Sequence, residues 1–417
     1  MVPNGWEFKK LGDLCTKITD GAHHSPKSID QGYPMYSVKD MSNRGFLTNT
    51  ARLISKNDYE DLVNQNCKPL AGDVLIAKDG SILKHCFVMQ NDCDGVILSS
   101  IALLRPNESY VSPHYLAHYF SQDWVKVFVV RALTSGSGVP RIILKDFKTI
   151  KIPTPPLPEQ QKIAKILTTW DKAIDSTERL IDNSKQQKKA LMQQLLTGKK
   201  RLLDDEGKRF EGEWEEVRLE DHLESFQNGY AFKASHYEET GIPIITMGNI
   251  GLDGKFNERL SKVNYWSYDK ALERYEVNNG DLLIAMTDVT PDKNLIGRMT
   301  IVTTDKTFYL NQRVGLIKPK PTLDKHFLRC LSNDVCWRRY SLAVSASGVQ
   351  ANMSTKDIKN GTIKLPSFKE QQKIAAVLTN ADKEIELLEQ QLADLQQEKK
   401  ALMQVLLTGK KRVRLND

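Results

Sequence analysis

Two histidines four residues apart, His114 and His118, stand on an expected helix at a spacing that can hold a metal ion. No third ligand accompanies them, and the same spacing describes an ordinary helix face. The stretch "PDKN" at 291–294 has a faint nuclease outline, against which a loop or turn is the stronger reading. There is no Walker A loop, no "NPPY"-like methyltransferase stretch, no HExxH and no GxSxG. Cys15, Cys67, Cys86, Cys93, Cys330 and Cys336 form no CxxC pair, so neither a zinc ribbon nor a redox dithiol is signalled and reduced, mostly buried thiols are expected. No catalytic residue and no metal ligand is assigned. What remains is the chemistry of recognition.

That chemistry sits in polar loops that recur as matched pairs. "LTSGSGVPR" at 133–141 supplies Ser135, Ser137 and Arg141, and "VSASGVQANMS" at 344–354 supplies Ser345, Ser347, Gln350 and Asn352. Glycine lets backbone approach a phosphate closely, while Arg and Asn or Gln can make paired hydrogen bonds to guanine and adenine edges. "TDGAHHSPK" at 19–27 offers His23, His24 and Lys27, matched by Asn228, Tyr230 and Lys233 of "QNGYAFKAS" at 227–235, with the lysines as phosphate candidates. "IAKDGS" at 76–81 and "IAMTDV" at 284–289 add Lys78 and Thr287. Any one of these loops also reads as a flexible surface loop.

The elements that must position them come in two copies. "EQQKIAKILTTWDKAID" from Glu159 faces "EQQKIAAVLTNADKEIE" from Glu370 at an offset of 211, and about 26 of the 43 positions from Glu159 to Arg201 are identical to their partners. Fainter echoes put Trp6 opposite Trp214, "GYPMYSVKDM" at 32–41 opposite "GIPIITMGNI" at 241–250, and "AGDVLIAKDG" at 71–80 opposite "NGDLLIAMTD" at 279–288. A period above 200 residues is a duplication, not a solenoid. Its order is variable half, fixed segment, variable half, fixed segment.

Each fixed segment reads as a helix of about 37 residues, roughly 55 Å long. Ile163, Leu167, Trp170, Ile174, Thr177, Ile181, Ser184, Lys188, Leu191 and Leu195 alternate by fours and threes, a heptad seam. Ile374, Leu378, Ala381, Ile385, Leu388, Leu392, Leu395, Lys399, Leu402 and Leu406 repeat it, and both seams lapse at the same step, Lys188 and Lys399. Trp170 is set opposite Ala381 at one layer. Pro158 fits an N1 position, Ser367 with Glu370 a capping box, and Gly198 and Gly409 left-handed C-terminal stops. Each seam needs a partner, and its own copy is the economical one. Because one helix leaves the first half and the other returns from the second, the pairing is expected to be antiparallel, as a spacer with the chain ends near each other. The halves between are mixed, with strands at 74–77, 101–104, 149–152 and 282–285 and one helix each at 112–130 and 324–342.

Composition bounds the rest. At 417 residues the chain suits two to four domains, and its formal charge is +7. Lys and Arg outnumber Asp and Glu by 10 to 5 in 157–203 but stand at 18 to 15 in 1–156 and 22 to 24 in 204–366, so charge alone does not establish nucleic-acid binding. Without an eighteen-residue apolar run or a signal-peptide pattern, a cytoplasmic protein away from membranes is expected.

"PTPPLPEQQKIAKIL", "LPSFKEQQKIAAVL", the "ALMQQLLTGKKR" ending, the "GDVLIAKDG"/"GDLLIAMTD" pair and the SG-rich loop before each fixed segment together resemble the specificity subunit of type I restriction-modification systems, over essentially the whole chain. The short strands and helices mixed in each half give an expected α+β architecture, which the resemblance shares. Target recognition domains would occupy 1–155 and 204–366, conserved spacer helices 156–203 and 367–412, and a tail 413–417. The two spacers would form an intramolecular antiparallel coiled coil with pseudo-twofold symmetry. The resemblance further implies that each head reads half of a split site in double-stranded DNA, that the coil fixes the gap and docks two modification subunits, and that S-adenosylmethionine, ATP and Mg2+ act on the modification and restriction subunits. A coiled-coil adaptor with two protein-binding heads, and a subunit of a methylation-only system, are the alternatives.

Overall fold

The computed structural model describes residues 2–135, 138–258, 263–345 and 351–415. It divides into two compact units: residues up to Arg179 together with those from Gln390 on, and Leu180–Glu389. The division passes through both long helices, Leu157–Leu195 and Phe368–Leu406, so each unit holds one head with part of each helix.

Both heads are built on the same antiparallel four-stranded sheet. In the first unit its order is Cys15–Asp20, Ile101–Pro106, Val74–Ala77, Cys86–Val88. In the second it is Leu223–Asn228, Val314–Pro319, Leu282–Ala285, Met299–Ile301. The central strands "VLIA" and "LLIA" are buried throughout, which is why they read as unbroken apolar runs instead of alternating ones. Even the irregularity is duplicated, with a register shift at Cys15/Lys17 and at Leu223/Ser225. A smaller sheet in each head pairs Tyr33–Tyr36 in parallel with Val96–Ile97, and Ile242–Ile245 in parallel with Phe308–Leu310.

Some sequence expectations are corrected. The stretches 112–130 and 324–342 each form two helices, Pro113–Phe120 with Asp123–Ala132 and Lys325–Leu331 with Val335–Val344. In the second unit Asp334 makes the break, since its carboxylate accepts from the Cys336 N–H and caps a new helix. The strand placed at 149–152 is Lys151–Thr154, which pairs with Glu7–Lys10. Pro158 is the second helical residue, not the first.

The seam is as expected: every residue named for it is buried or half-buried. Contacts in the first unit join Glu159 to Arg412 and Asp171 to Lys399, so numbers rise along one helix as they fall along the other. In the second unit Lys185 meets Glu389, Lys188 meets Asp382 and Arg201 meets Glu370. The pairing is antiparallel in both. At this register Trp170 belongs to the first unit and Ala381 to the second, so they are equivalents and do not share a layer.

The lapses at Lys188 and Lys399 are thereby explained, because Asp382 and Asp171 face them as ion pairs. Glu370 closes no capping box; fully buried, it takes both oxygens to Arg201 at 2.7 Å, as Glu159 does to Arg412 at 2.6 Å. A buried carboxylate stripped of its partner costs about 3–5 kcal/mol, so these pairs hold register as well as charge balance. Gly198 and Gly409 have φ of +70° and +72°, ending the helices in the left-handed conformation. Arg412 also donates to the Asn4 carbonyl, bringing the two ends of the chain together.

Candidate nucleic-acid interface

The strand Cys15–Asp20 ends at Gly21, where a side chain would stand 2.0 Å from the Ile97 carbonyl oxygen. In the second unit Leu223–Asn228 ends at Gly229, where a side chain would stand 2.2 Å from the Asn311 carbonyl. Only glycine permits that approach. These two residues release the polar loops 19–27 and 227–235 at the same edge of each sheet.

The loop preceding each long helix folds back to the end of the central strand. Asp79 bridges Arg141, and the strand Thr134–Ser135 pairs with Arg141–Ile142, placing Ser135 opposite Arg141. Correspondingly Thr287–Asp288 pairs with Ala351–Asn352, and Thr287 lies opposite Asn352. Three loops far apart in sequence thus converge in each head.

In the first head they converge on two carboxylates that the sequence reading did not nominate. Lys78 Nζ lies 3.3 Å from Asp20 Oδ2 and 3.1 Å from Asp79 Oδ1. His23 Nε2 is 3.1 Å from Asp20 Oδ1, and Arg141 Nε is 3.7 Å from Asp79 Oδ2. Lys78 is buried and its charge is neutralised internally, whereas His23 and Arg141 are exposed. The cluster therefore presents one guanidinium and one imidazole to solvent on a braced base. His24 and Lys27 are exposed, have no side-chain hydrogen bond or ion pair among the described residues, and are not joined to it. Ser137 lies outside the described residues.

The second head presents amides and an aromatic ring where the first presents charge. Asn228, the counterpart of Asp20, accepts a 3.0 Å hydrogen bond from Thr355 Oγ1. Tyr230 donates its backbone N–H to Leu310 and accepts from Gln312, while its ring packs against Phe232 at 4.9 Å between centroids. Thr287 is buried and Asn352 exposed beside a cavity of about 420 Å³ lined by Met286, Thr287, Gln312, Asn352, Ser354 and Asp357. Ser345 is buried and donates to the Leu342 carbonyl, which closes the helix Val335–Val344. Lys233 is exposed, without a side-chain partner among the described residues, at the start of the short helix Ala234–His236. Ser347 and Gln350 lie outside the described residues.

Asp20, Asp79, Gln312 and Thr355 were missed. Asp20 and Asp79 were within reach, since the repeat alignment sets them opposite Asn228 and Thr287. Gln312 and Thr355 carried no sequence signal. Among the described residues no group of three or more His, Cys, Asp or Glu can hold a metal ion. His118 is instead buried against Thr168, 3.2 Å from its hydroxyl. No helix among the described residues is long and apolar enough to cross a membrane.

Known proteins share the sequence pattern and fold that carry these loops. Residues 3–185 and 211–397 match the family described as type I restriction modification DNA specificity domain. The chain is 28% identical over 421 residues to the type I restriction enzyme MjaVIII specificity subunit of Methanocaldococcus jannaschii, covering 99% of this chain and 94% of that protein. It is 23% identical over 385 residues to the EcoKI specificity subunit of Escherichia coli K12, covering 89% and 81%. Among solved structures, the type I restriction-modification S subunit from M. genitalium shares the fold with a TM-score of 0.59 at 14% identity, over 100% of this chain and 99% of that one. A chain from a structural study of complex assembly and conformational transition in the type I R-M system matches with a TM-score of 0.57 at 18% identity, over 99% and 100%.

Proposed function

We propose, from the premise that this chain belongs to the type I restriction-modification DNA specificity family, that each head reads one half of a split target in double-stranded DNA. Recognition of DNA is the family's role, as the non-catalytic component of its complexes, and the adaptor reading is set aside. The observation that carries the two-half reading is the duplicated convergence of three polar loops at the end of each central strand, with different side chains in each copy. Two copies of one scaffold bearing unlike groups are suited to two unlike half-sites. Arg141 and His23 are the first head's base or phosphate contacts, Asn228, Tyr230 and Asn352 the second's, with Lys27 and Lys233 on phosphates.

The paired long helices set the gap between half-sites and dock two modification subunits. S-adenosylmethionine, ATP and Mg2+ serve the modification and restriction subunits, which join this chain in the cytoplasm. The test is a genome-wide map of N6-methyladenine in cells expressing this chain with its modification subunit. A split motif with one constant gap is the expected result. Methylation without a split motif, or no new methylation from an assembled complex, would remove the reading.

A further inference from the structure

The two heads differ most informatively in the turn that follows the central strand. In the first head the Leu83 N–H returns to the Ala77 carbonyl at 2.9 Å; in the second the Gly297 N–H returns to the Ala285 carbonyl at 2.8 Å. Both returning residues have positive φ, +51° and +72°, so the two turns close in the same way. Five residues, 78–82, lie between these anchors in the first head and eleven, 286–296, in the second. The second head therefore carries six additional residues, and they emerge directly from the strand Thr287–Asp288, beside Asn352.

This longer loop is tied down from within. Asp288, almost fully buried, accepts from the Thr290 N–H at 2.7 Å and the Thr290 hydroxyl at 2.8 Å, and from the Leu295 N–H. Arg338 donates to the Lys293 and Ile296 carbonyls, and Arg298 to the Asn294 carbonyl. Among the described residues neither guanidinium bonds a carboxylate; Arg298 also donates to the Asn333 side-chain oxygen. Burial, then the neighbouring Arg298 charge, pushes Arg338 down to about 10. Placing two half-buried arginines on carbonyls of one loop, where neither gains a carboxylate partner among the described residues, is an unfavourable use of charge unless the loop's shape matters. The tip faces outward: Val289, Pro291, Asp292 and Asn294 are exposed, and the side chains of Asp292, Lys293 and Asn294 make no hydrogen bond or ion pair among the described residues.

We infer that residues 289–294 form an additional base-reading loop of the second head, which extends its half-site beyond the base pairs reached from Asn228, Tyr230 and Asn352. The inference rests on the DNA-reading function proposed above. Asn294 carries the amide suited to an adenine edge, Asp292 an acceptor for the cytosine amino group, and Lys293 a donor for guanine. With one acid and one base the tip has no net charge, so it gains little from phosphates and is suited to choosing bases more than to raising affinity.

The experiment is selection from a randomised duplex library by the full chain assembled with its modification subunits. It compares the parent with a D292A/N294A variant and a K293G variant, the latter because glycine suits the +49° φ of Lys293. A parent motif with a variant motif degenerate at one or two positions of one half-site only, with discrimination there reduced about tenfold or more, is the expected result. An identical motif from parent and variants, all positions within about twofold, would overturn this inference and leave the DNA-reading function intact. Uniform weakening on all sequences would overturn it too, since the loop would then be a backbone contact. A parent that selects no split motif would remove the premise along with it.

Discussion

Several buried polar side chains tie the heads to the long helices, and some act in matched positions. Gln160 is fully buried: its Oε1 accepts from the Ser112 N–H, and its amide donates to the Tyr110 and Pro155 carbonyls. Gln371 does the same with the Asp324 N–H and the Thr322 and Pro366 carbonyls. His118 breaks the symmetry, since Cys330 stands at its counterpart position in the repeat. Burial first, then the charges of Lys399 and His114, push its imidazole down to about 3. An unfolded histidine titrates near 6.5, so at pH 7 the group is neutral in the folded state and mostly neutral in the unfolded one, and its contribution to pH dependence is small there. Below 6.5 the unfolded chain takes up a proton that the folded chain refuses. Stability is therefore lost steadily from about pH 6.5 down to about pH 3. We expect His118→Gln, which keeps a group able to bond the Thr168 hydroxyl, to lose about 2 kcal/mol less than the parent between pH 7 and pH 5. Urea unfolding at the two pH values measures this, and parallel losses in both proteins would show that His118 takes its proton while folded.

The long helices were the most legible elements, because a heptad seam is a local pattern repeated in one chain. Their ends were legible for the same reason, in Gly198 and Gly409. What the seam could not disclose was the partner of each lapse: Lys188 meets Asp382 and Lys399 meets Asp171 across nearly two hundred residues or more, through a register fixed only once the helices are antiparallel. In the heads, "VLIA" and "LLIA" announced fully buried strands, whereas the breaks at Gln122 and Asp334 did not show in the apolar pattern, which runs on past them. The candidate contacts were half legible. Matched loops pointed to Arg141 and Asn352, but whether a lysine such as Lys78 is spent on internal carboxylates depends on contacts between distant strands. The helices also yield a prediction at their own scale. Seven residues inserted after Arg179 and seven after Glu389 preserve the heptad phase and lengthen each helix by about 10 Å. On the ruler reading, the methylated motif then gains a gap about three base pairs longer with both half-sites unchanged. A methylation map of cells carrying the insertion variant reads this directly, and the parent gap recovered from an active complex would defeat the ruler.

At the scale of the whole molecule, the duplication separates what must stay the same from what can vary. The fixed segments hold their heads through Gln160 and Gln371, and both glutamines use backbone groups of the head as partners. These glutamine bonds do not depend on which side chains the head carries, whereas the contacts of His118 with Thr168 and of Asp123 with Lys400 do, so a replacement head must also fit those faces. The Trp6 indole adds a bond to Glu159 at 3.1 Å, and that residue lies outside the converging loops. The groups proposed to read DNA are the opposite case: His23 and Arg141 in one head and Asn228 and Asn352 in the other come from the matched loops of the same scaffold with unlike chemistry. A head should therefore be exchangeable as a unit. Replacing residues 1–155 by the first head of a related chain, with Trp6 retained and Gln160 left in place, should yield a complex whose methylated motif changes in one half-site only, while the other half-site and the gap stay as they were. Methylome mapping of the parent and the chimera side by side decides it. A change in both half-sites would mean that the heads do not read independently. A change of gap with both half-sites preserved would mean that the head, and not the paired helices, sets the spacing.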